Sequence, residues 1–164
     1  MKTRIIGLAA ALACLIITGS WLAAQSGTSP GPAKDTEGTG ASLDAVGRLA
    51  ASHLYQTYLN IGMLADARAE GTYDTDSARE VLATVVGLVE GSEKQLDAIG
   101  RGTLTAEDKA ALADVRKQSA ALREVAASLD RFWKTGRKED GARYEAQRKK
   151  AWAGIEKLLG LKDE

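Results

Sequence analysis

Cysteine is almost absent from this chain of 164 residues: there is one, Cys14, and it sits inside the first apolar run. A disulfide scaffold is excluded, and so are thiol chemistry and Cys-ligated metal once that run is removed. Histidine is as scarce. His53 stands alone, with no Cys-x-x-Cys-His, no His-Glu-x-x-His and no paired Glu-x-x-His of the di-iron bundles. A haem or metal-binding bundle is therefore the weakest reading, because its ligands are missing. Met63, the one methionine beyond the start, falls on the opposite face of His53's own helix, where it cannot serve as a facing ligand.

Proline is confined to Pro30 and Pro32. Everything after them lacks the residue that most strongly breaks helices. Aromatic residues make up 5% of the chain, so any core is built mainly from small aliphatic side chains. Formal net charge is zero, with 22 basic and 22 acidic residues. That is no footprint for nucleic acid, which calls for a basic face. Nucleophilic and acid–base motifs are also lacking, and the chain reads as non-enzymatic with no cofactor.

What is present starts at the N-terminus. Lys2 and Arg4 precede an uncharged run from Ile5 to Ala24, the pattern of an export signal or membrane anchor. Three readings fit it. Ala24-Gln25-Ser26 places small residues where a signal peptidase inspects them, giving cleavage before Gly27. The run is long for a signal core, which is usually about 7–15 residues. At ~1.5 Å per residue it spans ~30 Å, enough for an uncleaved anchor through residues 5–24. Ala11-Leu12-Ala13-Cys14 resembles a bacterial lipobox and makes Cys14 a candidate lipidation site, although it lacks the preferred Leu three residues before the cysteine. In each case the chain works outside the cytoplasm, periplasmic, secreted or anchored facing outward.

Residues 27–41 are rich in Gly, Ser, Thr and Pro and are expected to form a flexible linker. Residues 42–161 are expected to form an all-α domain, an antiparallel up-down four-helix bundle. Helix 1 carries Leu43, Val46, Ala50, Leu54, Ile61 and Leu64 at three- and four-residue steps. Helix 2 carries Ala78, Val81, Leu82, Val85, Leu88, Val89, Leu96 and Ile99, with Asp74 as N-cap and Gly100-Arg101-Gly102 as its stop. Helix 3 opens on a capping box, Thr105 to Asp108, and buries Ala111, Val115, Leu122, Val125, Ala126, Leu129 and Trp133 before stopping at Gly136. Helix 4 carries Tyr144, Ala151, Trp152, Ile155, Leu158 and Leu159.

This topology predicts where chemistry-bearing residues gather. Tyr73, Phe132, Trp133 and Tyr144 fall at the end of the bundle far from the linker, forming a candidate interaction tip; they equally fit a plug for the end of the core. Leu59 and Met63 on helix 1, with Gly87 and Gly91 on helix 2, are expected outward and form a candidate homo-oligomer interface. The competing reading is that these residues face a neighbouring helix, which would explain two glycines inside one helix. Tyr58 and Gln118 fall at one level and are expected to hydrogen-bond. Glu70, Asp74, Asp76 and Glu80 fit helix capping better than a calcium loop. Residues 42–100 hold four bases and nine acids, and residues 101–164 fifteen bases and eleven acids; pairing between the two halves is the expected use of that asymmetry.

The functional expectation is an exported module that binds another protein or an envelope component. A small-molecule sensor or carrier, with its ligand in an Ala- and Gly-rich helix core, is the alternative.

Overall fold

The computed structural model describes residues 36–161, with side chains described from Leu43 onward. The export segment, Cys14 and the linker up to residue 35 lie outside the described residues. Four helices account for the described chain: α1 Thr36–Ala69, α2 Thr75–Gly100, α3 Ala106–Thr135 and α4 Lys138–Leu158. The protein is all-α over this region. None of these helices is long and apolar enough to cross a membrane. α1 begins earlier than expected, so residues 36–41 belong to the helix and not to the linker.

Local chemistry sets the helix ends. The Asp74 carboxylate accepts from Ser77 N–H at 2.8 Å and caps α2. Thr105 and Asp108 form a full capping box at α3, each side chain accepting from the other's backbone N–H at 3.1 Å. Gly136 ends α3 in the left-handed region, φ 63°, where a Cβ would be strained. Its N–H donates to the Phe132 carbonyl at 2.8 Å, which reverses the chain directly into α4.

Contacts between helices run in opposite directions along successive elements. Arg68 near the end of α1 meets Thr75 at the start of α2, and His53 meets Ser92. Arg79 meets Asp130 and Asp97 meets Arg116 across α2 and α3. α3 packs on all three other helices, whereas α2 and α4 do not touch. The cross-section is therefore flattened, with α1 and α3 drawn together along its short diagonal.

Small side chains allow that approach. Thr57 on α1 and Ser119, Ala126 and Ser128 on α3 are buried. The two serine hydroxyls donate to carbonyls of their own helix, Ser119 to Val115 at 3.2 Å and Ser128 to Val125 at 2.8 Å, so neither is left unsatisfied. Around them the core is Leu54, Ile61, Leu82, Leu122, Val125, Leu129 and Ile155.

The same flattening corrects the expected stripes. Val81 and Leu88 were expected inside, yet they are 39% and 61% exposed. α2 has only two neighbours, so it buries a narrower face, Ala78, Leu82, Val89 and Leu96. Ala111 on α3 is exposed as well, while Leu112 and Val115 beside it pack into the core. Gln118 does not bond Tyr58; its amide lies against Gly154 on α4.

Ion pairs join the acidic and basic halves as expected. Arg79 donates to Asp130 at 2.7 Å, Arg116 to Asp97 at 2.6 Å and Arg123 to Glu93 at 3.3 Å. Exposed pairs of this kind contribute ~0–1 kcal/mol each, so they select the α2–α3 register more than they stabilise it.

Candidate functional site: the tip cleft

At the end of the domain where α1 stops and α3 turns into α4, three helices diverge and leave a cleft of about 520 Å³. Leu129, Phe132 and Trp133 line it from α3, Tyr144, Glu145 and Arg148 from α4, and Asp66 and Arg68 from α1. The sequence alone placed Phe132, Trp133 and Tyr144 together, and the structure brings these three into one site. Tyr73 does not join them. It is 39% exposed on the α1–α2 turn, held by its N–H to the Ala67 carbonyl at 3.4 Å.

Several local features hold the cleft's shape. Gly141 sits against Phe132, where an added Cβ would lie 3.1 Å from a ring carbon, so the ring packs directly on the α4 backbone. Arg68 is anchored by two hydrogen bonds to the Thr75 hydroxyl, at 3.0 and 2.7 Å. The guanidinium of Arg148 lies beside Gly62 on α1 and 5.6 Å from the centroid of the Tyr58 ring, a cation–π distance. Tyr58 in turn packs on Trp152, with centroids 5.2 Å apart, and Trp152 on Tyr55 at 5.9 Å. This aromatic seam between α1 and α4 was not anticipated; the spacing of Tyr55 and Tyr58, one turn apart, was its only trace in the sequence.

Asp140 is the second residue that sequence reasoning missed. It is buried at the start of α4 and accepts from the Thr135 hydroxyl at 2.7 Å and from Arg137 at 2.9 Å. Arg131 approaches its other oxygen at 3.0 Å. The Thr135 hydrogen bond first, then Arg137 and Arg131, hold its carboxyl below the usual carboxylate range. Asp140 thus ties the α3–α4 turn that shapes one wall of the cleft.

Four buried polar atoms have no partner among the described residues, the Tyr144 hydroxyl, Arg148 Nε and Gln147 Oε1 on α4 and Arg116 Nε on α3. Tyr144 is 4% exposed, and its hydroxyl has no hydrogen-bond partner. Burial lifts its pKa to about 12, so the phenol stays neutral at any physiological pH. Arg148 Nε, one helical turn away, is likewise buried without a partner. Buried polar groups are almost always satisfied in folded proteins, and one left unmade costs ~1–3 kcal/mol.

The other expected positions lie elsewhere. Leu59 and Met63 are 39% and 61% exposed on α1. Gly87 lines a groove between α2 and α3 with Arg79, Glu90 and Arg123. A Cβ at Gly87 or Gly91 would meet nothing within 4 Å, so neither glycine serves close packing of a neighbouring helix, and that reading is overturned. His53 and Ser92 mark where α1 and α2 face each other. At about 100° per residue, Leu59 is rotated ~120° from His53 and Gly87 ~140° from Ser92, which in an antiparallel pair turns both toward its outward side.

His53 shares a 3.2 Å contact between its Nε2 and the Ser92 hydroxyl. Asp74 caps α2, and Asp76 pairs with Arg79 at 3.6 Å. Among the described residues no group of three or more His, Cys, Asp or Glu is placed to hold a metal ion. Toward the other end, α1, α2 and α3 leave a space of about 60 Å³ between Leu43, Leu96, Leu104 and Val115 and one of about 320 Å³ beside His53 and Ser92, the second at the low end of the ~300–1,000 Å³ of small-molecule sites. Comparison with protein-family models, with curated proteins and with solved structures finds no match.

Proposed function

We propose that this chain is an exported, non-enzymatic binding module: an antiparallel up-down four-helix bundle carried on an N-terminal export segment and linker, with the tip cleft as its working end. The observation that carries the reading is Tyr144, which lines the cleft and whose hydroxyl is buried with no partner among the described residues. Such a group costs ~1–3 kcal/mol and asks for a reason, which an acceptor on a bound partner would supply. The placement agrees. α1 is 34 residues long, about 50 Å at ~1.5 Å per residue, so the cleft stands well away from the start of α1. The partner is another protein or an envelope component that reaches into the cleft.

The test introduces a photo-cross-linking amino acid at Glu145, on the cleft, and at Leu49, exposed near the opposite end, in cells that export the protein. A defined adduct from position 145 and none from 49 supports the tip. Equal labelling from both positions, or none from 145, removes it. Intact mass of the recovered protein tests export directly: residues 27–164, a lipidated product or an uncleaved chain in the membrane fraction each fit, while a full-length cytoplasmic product does not.

The carrier reading, with a ligand in the helix core, draws less support. Spaces of about 60 and 320 Å³ open among α1, α2 and α3, but neither is lined by a buried polar atom without a partner, as the tip cleft is.

A further inference from the structure

The chemistry of the tip cleft narrows its occupant, an argument that rests on that cleft being the working end. Tyr144 and Arg148 stand four residues apart on α4, which places them on one helix face. Their Oη and Nε atoms are both buried and unpartnered. Arginine Nε only donates, and a neutral phenol donates readily, so both call for an acceptor oxygen. Charge on the lining cancels, with Asp66 and Glu145 against Arg68 and Arg148. An anion would meet two carboxylates there and a cation two guanidiniums. The remaining wall, Leu129, Phe132 and Trp133, is apolar.

We propose that the cleft binds an uncharged, mostly apolar molecule through a carbonyl oxygen, which accepts from the Tyr144 hydroxyl and Arg148 Nε while the apolar body lies on Phe132 and Trp133. The hydroxyl is closed to solvent, so the ligand enters as a lining side chain turns aside. Arg148, half-buried over the Tyr58 ring, is the one whose turn also presents its donor.

Three probes of matched size separate the possibilities: benzophenone, diphenylmethane, which lacks the oxygen, and diphenylacetate, which is charged. Their dissociation constants are measured on the protein as recovered from expressing cells and on Tyr144→Phe. Benzophenone is expected to bind about thirty-fold or more tighter than diphenylmethane, the scale of one neutral and one charged hydrogen bond. In Tyr144→Phe that advantage falls about five-fold, the share of the phenol, and a cooperative thermal transition shows that the variant is folded. The proposal is overturned if benzophenone has no advantage, or if the advantage is undiminished in Tyr144→Phe. Tightest binding of diphenylacetate overturns the ligand class and leaves the cleft as the working end. Binding of none of the three overturns the proposal as well, and the cross-linking at Glu145 then judges the cleft separately.

Discussion

The ring of Phe132 rests on the backbone of Gly141, so close that a Cβ there would stand 3.1 Å from a ring carbon. The same substitution therefore has opposite effects at two glycines. At Gly87, where a Cβ meets nothing within 4 Å, Gly→Ala is expected to stabilise by about 0.5–1 kcal/mol through helix propensity alone. At Gly141 the ring must shift, and overpacking outweighs that gain, for a net loss of about 1 kcal/mol. Urea unfolding of both variants decides it. A stabilised Gly141→Ala would mean the contact is loose.

Leu122→Ala and Leu88→Ala remove the same atoms from different environments. Leu122 is 1% exposed and Leu88 61%. The first is expected to cost about 2–5 kcal/mol and the second less than about 0.5. Equal losses in chemical denaturation would put Leu88 back inside, as its place in the apolar stripe had suggested.

Tyr144→Phe removes a buried hydroxyl that has no partner in the fold. Stability at neutral pH is expected to rise by about 1 kcal/mol. The alkaline limb should change too. A phenol whose pKa is lifted to about 12 contributes stability that is complete below the unfolded value near 10 and is lost as pH rises through 12. Thermal unfolding between pH 9 and 12 checks this, and Tyr144→Phe should flatten the slope above pH 10. An identical slope in the variant would show that Tyr144 titrates normally.

Asp140 governs the acid limb. Its carboxyl is held low by Thr135, Arg137 and Arg131. A lowered pKa gives stability that is present above the unfolded value near 3.8 and is lost as pH falls through the folded value. Asp130 acts in the same direction; burial raises its pKa, but hydrogen bonds from Lys134 and Arg79 outweigh that. The melting temperature is therefore expected to drop below about pH 4, and Asp140→Asn should lower it at pH 7 while flattening the acid drop. A variant with the wild-type acid profile would remove Asp140 from the account.

The features legible in the sequence are those fixed by near neighbours. The Asp74 cap, the Thr105–Asp108 box and the Gly136 stop each depend on residues within four positions of one another, and all three stand where the spacing put them. The convergence of Phe132, Trp133 and Tyr144 was legible as well, because a short turn forces adjacent helix ends together. Val81 and Leu88 were misjudged because α2 has only α1 and α3 beside it and buries a narrower face than its apolar stripe, which no local pattern encodes. Asp140 looked like an ordinary first-turn acid complementing the helix dipole. Only the fold brings Arg131 and Thr135 from the preceding helix onto it. Tyr73 lies at the expected end, on the α1–α2 turn, but is partly exposed and does not line the cleft.

α3 touches every other helix while α2 and α4 never meet. Opening α2 therefore breaks contacts with α1 and α3 but leaves the α3–α4 hairpin, the most extensive pairing in the domain, undisturbed. Protection against amide hydrogen exchange should be graded accordingly, greatest in the middle of α3 around Leu122 and Val125, and least in α2, whose amides exchange through a partial opening that global unfolding does not require. The cleft is built from α1, α3 and α4, so it would outlast that opening.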